Sequence, residues 1–306
     1  MNSVTFRNGA IDIAANVHIP AGFDPVRSYA AIICVHPGSS VKEQTAAVYA
    51  AKLAESGFVA IAFDASGQGD SGGEPRYAEE PAARVEDIRC AVDFLTTLGY
   101  VDQNCIGVLG ICAGGGYAVN AAMTEHRIKA VGTVAGVNIG RAHRAGDGTP
   151  GASIRALDAV GQQRTLEARG ATPLVVPWTP ATPADVAKAG ITDVDMIEAV
   201  DYYRTPRGAH PNANNCFRFR STASLLAFDA FHLVNVLLTQ PLQVIVGDRV
   251  GGFGSYQDGH DLFARATSKK DLLVIEGASH YDLYDRPEYV DQAIAKLRTF
   301  YGENLT

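Results

Sequence analysis

The spacing of hydrophobic and polar positions changes character twice along this chain. At the start, Ile11, Ile13, Ala15, Val17 and Ile19 alternate with mostly polar residues, the period of a half-buried strand. Val4 to Arg7 precedes them, and Asn8-Gly9 lies between, a strong hairpin signal. The chain therefore opens as an antiparallel pair. From residue 30 the apolar positions run together instead. Residues 30–35 and 58–63 are short continuous apolar runs, and residues 106–109 and 128–134 read as further strands. Between them lie helical patterns: residues 43–56, a stretch after Pro81 with Val85, Ile88, Val92 and Leu95 on one face, and residues 114–123. Buried strands alternating with amphipathic helices make a parallel sheet covered on both faces. The same rhythm returns at residues 242–246 and 272–275, with a closing helix through Val290, Ala293, Ile294 and Leu297.

Between 138 and 240 the rhythm is lost. That stretch carries Pro150, Pro173, Pro177, Pro180, Pro183, Pro206 and Pro211, and the only tryptophan, Trp178. It reads as an insertion. The expected organisation is an α/β core over 1–137 and 241–306, with eight mostly parallel strands and helices on both faces, and a cap over 138–240.

One turn carries candidate chemistry. Gly110-Ile111-Cys112-Ala113-Gly114 fits G-x-nucleophile-x-G between an apolar strand and a helix. A nucleophile there occupies a sharp, strained bend, and the flanking glycines remove side chains that would strike neighbouring backbone. The N-terminus of the following helix favours a thiolate at Cys112. The N–H of Ala113 is then one oxyanion donor, and the second falls to Gly38 or Ser39 in the loop after the first parallel strand, because Pro37 has no N–H. In this arrangement nucleophile, acid and histidine follow in chain order. His280, just past the last strand, is placed to serve the thiol. Asp248, at the end of the preceding strand, is the candidate for orienting it, with Asp258 and Asp261 close behind. Gly67-Gln-Gly-Asp-Ser-Gly72 matches G-x-G-x-x-G after a strand, but it does not open directly into a helix and is not the first βα turn. A turn clearing space beside the site accounts for it better than a dinucleotide.

Composition narrows the classes. Across 306 residues, 47% are hydrophobic and 19% charged, which suits a globular protein with a large core. The net charge of −7 argues against nucleic acid as a partner. No apolar run of about 18 residues marks a membrane span, and the N-terminus shows no secretory h-region. Five cysteines, Cys34, Cys90, Cys105, Cys112 and Cys216, are scattered and never spaced C-x-x-C, so neither a disulfide framework nor a zinc site is expected. A reducing cytoplasm is the simplest home.

The chain resembles the α/β-hydrolase superfamily, in its dienelactone-hydrolase-like branch with cysteine in G-x-C-x-G-G. It is also similar to bacterial hydrolases and fungal polyketide transferases with an H-P-G-x-x-x-K-E-Q-T loop, here His36 to Thr45. Asp201-Tyr-Tyr-Arg-Thr-Pro-Arg-Gly208 and His280-Tyr-Asp-Leu-Tyr-Asp285 carry the same likeness. The resemblance implies a cysteine–histidine–aspartate triad acting on esters, lactones or thioesters without metal or cofactor. It also marks a departure: relatives often place the acid several residues past the strand's closing glycine, where this chain has Val250 and Gly251.

The expected function is a hydrolase for a small-molecule acyl substrate through an acyl-Cys112 intermediate, with His280 as general base. The alternatives are an acyltransferase sharing that intermediate and a non-catalytic ligand-binding relative. His36, Trp178, Tyr203 and Arg207 are the candidate substrate-binding residues, with Arg207 equally suited to a structural ion pair. If the chain self-associates, a homodimer is the commonest form.

Overall fold

The computed structural model describes residues 1–146 and 148–305. Strands β1 (Asn2–Asn8) and β2 (Ile11–His18) form the opening hairpin, with Asn8 paired to Ile11. The two-residue turn is thus Gly9-Ala10, one place later than Asn8-Gly9 predicts. Gly9 takes the positive φ of +55°. Asn8 stays in the strand, where its Nδ2 donates to Asp87 Oδ1 at 2.7 Å.

β3 (Tyr29–Val35), β4 (Val59–Phe63), β5 (Val101–Ile111) and β6 (Ile128–Val134) follow, joined by α1 (Thr45–Glu55), α2 (Pro81–Thr96) and α3 (Ala113–Ala122). Every residue of β4 is buried, as expected of a central strand that shows no polar face. The next segment holds α4 (Ile139–Ala145), α5 (Ala152–Ala168), β7 (Val175–Pro177), α6 (Pro183–Lys188), α7 (Val194–Arg204), β8 (Cys216–Arg218), α8 (Thr222–Ala227) and α9 (Val234–Leu237). β7 and β8 pair as a small antiparallel ribbon. The chain closes with β9 (Leu242–Gly247), α10 (Ser255–Arg265), β10 (Lys270–Ile275), α11 (Asp282–Asp285) and α12 (Pro287–Asn304).

The main sheet has eight strands in the order β1-β2-β4-β3-β5-β6-β9-β10. β1 and β2 are antiparallel to their neighbours and the rest are parallel. This is the mostly parallel eight-stranded sheet the pattern predicts. One apolar layer, including Ile33, Ile61, Val85, Ile88 and Val108, lies under α2 and α3. The other, including Ile32, Leu53, Leu109, Ile245 and Leu297, lies under α1 and α12. Burying such a side chain contributes roughly 1.5–3 kcal/mol. These two layers hold rigid the carboxyl ends of β3, β5, β9 and β10, where the candidate residues emerge. No helix among the described residues is long and apolar enough to cross a membrane.

Candidate active site

Cys112 sits where β5 gives way to α3, with φ +54° and ψ −127°. A non-glycine residue in that region carries strain of about 1–3 kcal/mol and needs its surroundings to hold it there. They do so through the backbone. Cys112 N–H donates to Val134 O at 3.1 Å, and its carbonyl accepts from Gly115 N–H at 2.8 Å and Val137 N–H at 2.9 Å. The glycines of the turn are required by contact. A Cβ on Gly110 would lie 2.3 Å from Gly114 O, and one on Gly114 would lie 2.3 Å from Val35 O.

Cys112 is half-buried and opens onto a cavity of about 1020 Å³. Burial pushes its thiol up, but His280, then the Tyr284 hydroxyl and the Ala113 backbone, act against it, and the net direction is down. Three other cysteines behave differently. Burial pushes Cys34 and Cys105 up and raises Cys90 to about 11. A low thiol facing a cavity is the chemistry of a nucleophile.

His280 is buried, and its Nε2 lies 3.1 Å from the Tyr284 hydroxyl. Its ring packs against Phe253, Tyr281 and Tyr284, so its orientation is fixed by aromatic contacts. Its Nδ1 is buried with no hydrogen-bond partner among the described residues. Asp248 is not there to fill that need. It is exposed, and its Oδ1 accepts from Gly277 N–H at 2.7 Å, which closes the turn after β10. Asp258 and Asp261 are engaged elsewhere, with Arg141 and Arg265.

The loop after β3 places Pro37 and Gly38 on the cavity wall. Gly38 lies between Trp178 and Ala113: a Cβ on it would be 3.6 Å from the indole and 3.8 Å from Ala113 Cβ. Ser39, the other candidate donor, is buried with φ +56° and is not among the lining residues. His36 does not reach the cavity either. It is fully buried, its Nε2 accepts from Ala65 N–H at 3.1 Å, and its Nδ1 therefore carries the proton directed at Pro37 O, 2.6 Å away. Burial, reinforced by Arg84, holds it well below the usual histidine range. His36 shapes the loop and is not among the residues that line the cavity. Arg207 takes the second of its two expected roles, the ion pair. It bonds to Asp285, Asp201 and Tyr281 O, and these ion pairs tie α7 to α11. Trp178 and Tyr203 do line the cavity.

Two residues of the site were missed from the sequence. Tyr284 shares its hydroxyl between His280 and the thiol. His143, on α4, lines the cavity and is lowered to about 4 by burial, so it is neutral at physiological pH. Only the short stretch ending at Asp285 carried a signal for the first of these. No lysine or arginine lines the cavity among the described residues. The glycine-rich loop of residues 67–73 leads through irregular backbone to Pro81, so no helix opens behind its glycines. Around it Lys42 bridges Glu43, Asp64 and Asp70, which supplies a cation to an acidic cluster from within the chain.

Residues 27–143 match the family model described as serine aminopeptidase, S33. The chain is 44% identical over 311 residues to the uncharacterized protein YcjY of Escherichia coli K12, covering 99% of each. It is similar to the crystal structure of hypothetical protein PA2218 from Pseudomonas aeruginosa, with TM-score 0.90 and 34% identity over 99% of this chain and 93% of that one. It is also 26% identical to a thiohydrolase of Eupenicillium brefeldianum, over 90% of this chain and 87% of the relative.

Proposed function

This chain belongs to the α/β-hydrolase family, and on that premise we propose that it cleaves an ester, lactone or thioester through an acyl-Cys112 intermediate. The observation that carries the reading is the lowered thiol of Cys112, held at a strained turn, beside His280 and open to the cavity. The thiolate attacks the substrate carbonyl and the S–C bond forms. The oxyanion lies against the N–H groups of Ala113 and Gly38. On collapse the leaving alcohol or thiol takes a proton from His280. His280 then removes a proton from water, which attacks the acyl-cysteine and frees the acid. No metal or cofactor enters these steps. The thiohydrolase relative supports thioesters within the substrate class.

The substrate is a small molecule with a neutral, largely apolar acyl part, because Val137, Ile139, Trp178 and Phe253 line the cavity and no lysine or arginine among the described residues does. Residues 138–240 act as the cap that closes over it. The apolar wall favours a second use of the same intermediate: transfer to an alcohol, amine or thiol when water is excluded.

The test needs no natural substrate. Alkylation by iodoacetamide over pH 5–9, mapped by mass spectrometry, is expected to modify Cys112 first, with an apparent pKa well below the ~8.5 of a free thiol. The profile moves upward in His280→Ala. Cys112 reacting no faster than Cys216, and indifferent to His280, sinks the reading. Added alcohols or thiols that divert the acyl group from 4-nitrophenyl acetate distinguish transfer from hydrolysis.

A further inference from the structure

Among the described residues the buried Nδ1 of His280 has no partner, and one buried carboxylate oxygen has the same need. Asp195, in the first turn of α7, is 1% exposed, and its Oδ1 is buried without a hydrogen-bond partner among the described residues. Its Oδ2 accepts from Phe253 N–H at 2.9 Å, while the Phe253 ring stands edge-on to His280 with centroids 5.7 Å apart. One residue thus touches both. The other buried unpartnered carboxylate oxygens belong to Glu43, beside Lys42, and Glu79, which accepts from Tyr117.

The loop after β9 shows why the carboxylate comes from α7. A Cβ built on Gly251 would lie 2.2 Å from Asp195 Cγ and within 2.4 Å of both carboxylate oxygens. The Asp195 carboxylate therefore fills the space that a side chain at 251 would occupy. Asp193 secures the same loop by accepting from Gly252 N–H at 2.7 Å. We propose that Asp195 is the positioning residue for His280: its carboxylate accepts Nδ1–H, fixes the tautomer that presents Nε2 to the thiol, and stabilises the imidazolium. It is supplied by the inserted segment and takes the role expected of Asp248. Burial foremost, with Asp193 adding to it and Arg249 opposing, raises this carboxyl to about 6, so it is ionised at neutral pH. Removing the orienting carboxylate from a serine triad costs about 10⁴-fold in turnover. A thiol, which ionises more readily, needs it less.

The proposal rests on the Cys112–His280 reading, and the two fail differently. Slow alkylation of Cys112 in the unmodified chain ends that reading; failure of this proposal shows only in variants. The probes are iodoacetamide and 4-nitrophenyl acetate. Asp195→Asn is expected to slow both reactions about tenfold or more at pH 6.5–7 and to move the alkylation profile to higher pH. Combining Asp195→Gly with Gly251→Asp returns a carboxylate from the loop and recovers at least half of the lost rate relative to Asp195→Gly alone. Should Asp195→Asn fail to fold, this relocated pair decides alone. A profile that stays in place in Asp195→Asn with rates within twofold overturns the proposal. So does a rate loss that leaves the profile unmoved and that the relocated carboxylate fails to restore.

Discussion

What separates Cys112 from the other thiols is placement. Cys34 lies inside β3 with no charge near it, and burial alone pushes its thiol up. Cys112 is subject to the same burial, yet His280 and Tyr284 outweigh it. Cys112→Ser keeps a hydroxyl in place but loses the readily ionised group, and turnover of 4-nitrophenyl acetate is expected to fall at least a hundredfold. Equal turnover would falsify thiolate chemistry. The same scale yields a prediction about pH and stability. The Asp195 carboxyl rises from 3.8 to about 6 on folding. A carboxyl raised on folding is neutral in both states below pH 4, so it costs nothing there. Its cost develops between pH 4 and 6 and is complete above that. Asp195→Asn therefore melts a few degrees higher than the unmodified chain at pH 7.5 and nearly level with it at pH 4, although it is slower in turnover. Calorimetry at the two pH values checks this, and a lower melting temperature at pH 7.5 would contradict the stated cost of burying the charge.

At the scale of elements, packing sets what the turn tolerates. α3 approaches β3 so closely that Gly114→Ala places a methyl 2.3 Å from Val35 O and 2.7 Å from His36 O. Neither carbonyl moves without shifting a central strand, so a loss of about 1–3 kcal/mol is expected in urea unfolding. Cys112 alkylation slows with it, because the displaced loop carries Gly38. The core elements were readable in the chain because each buries a face that must be apolar at period two or 3.6. The elbow was readable because steric exclusion leaves glycine as the residue that fits at 110 and 114. Asp195 was not. It is 58 residues from Phe253 in sequence, and no local period marks a carboxylate whose partners arrive from another element. Asp248 reads two ways for a related reason: a strand-end aspartate suits an orienting acid and a turn-closing acceptor equally well, and the Gly277 contact gives it the second role.

Across the whole molecule, the inserted segment is joined to the core unevenly. α5 is largely exposed, with Val160 its buried residue. α7 is bound at both ends. Its N-terminus holds residues 252–253 through Asp193 and Asp195. Glu198, midway along it, pairs with Arg249. Beyond its C-terminus, Arg207 bonds to Asp285, Asp201 and Tyr281 O, while Gly208 O accepts from Gln44 Nε2 at 2.7 Å. α7 is thus continuous with the frame that carries Tyr281, Tyr284 and His280. The sequence suggested a cap over 138–240; through α7 that stretch also contributes to the scaffold of the candidate site. Arg207→Ala separates these roles. It takes from the Asp285 carboxylate its ion-pair partner and removes an anchor whose guanidinium side chain is 10% exposed. A fully buried pair broken on one side costs about 3–5 kcal/mol, and the partial exposure of Asp201 and Asp285 brings this to about 1–3 kcal/mol. If Arg207 bound the substrate, the loss would fall on KM alone and stability would hold. Because it fastens α7 to α11, the melting temperature falls, and Cys112 alkylation slows through a less constrained His280. An unchanged melting temperature with a raised KM would return Arg207 to the substrate.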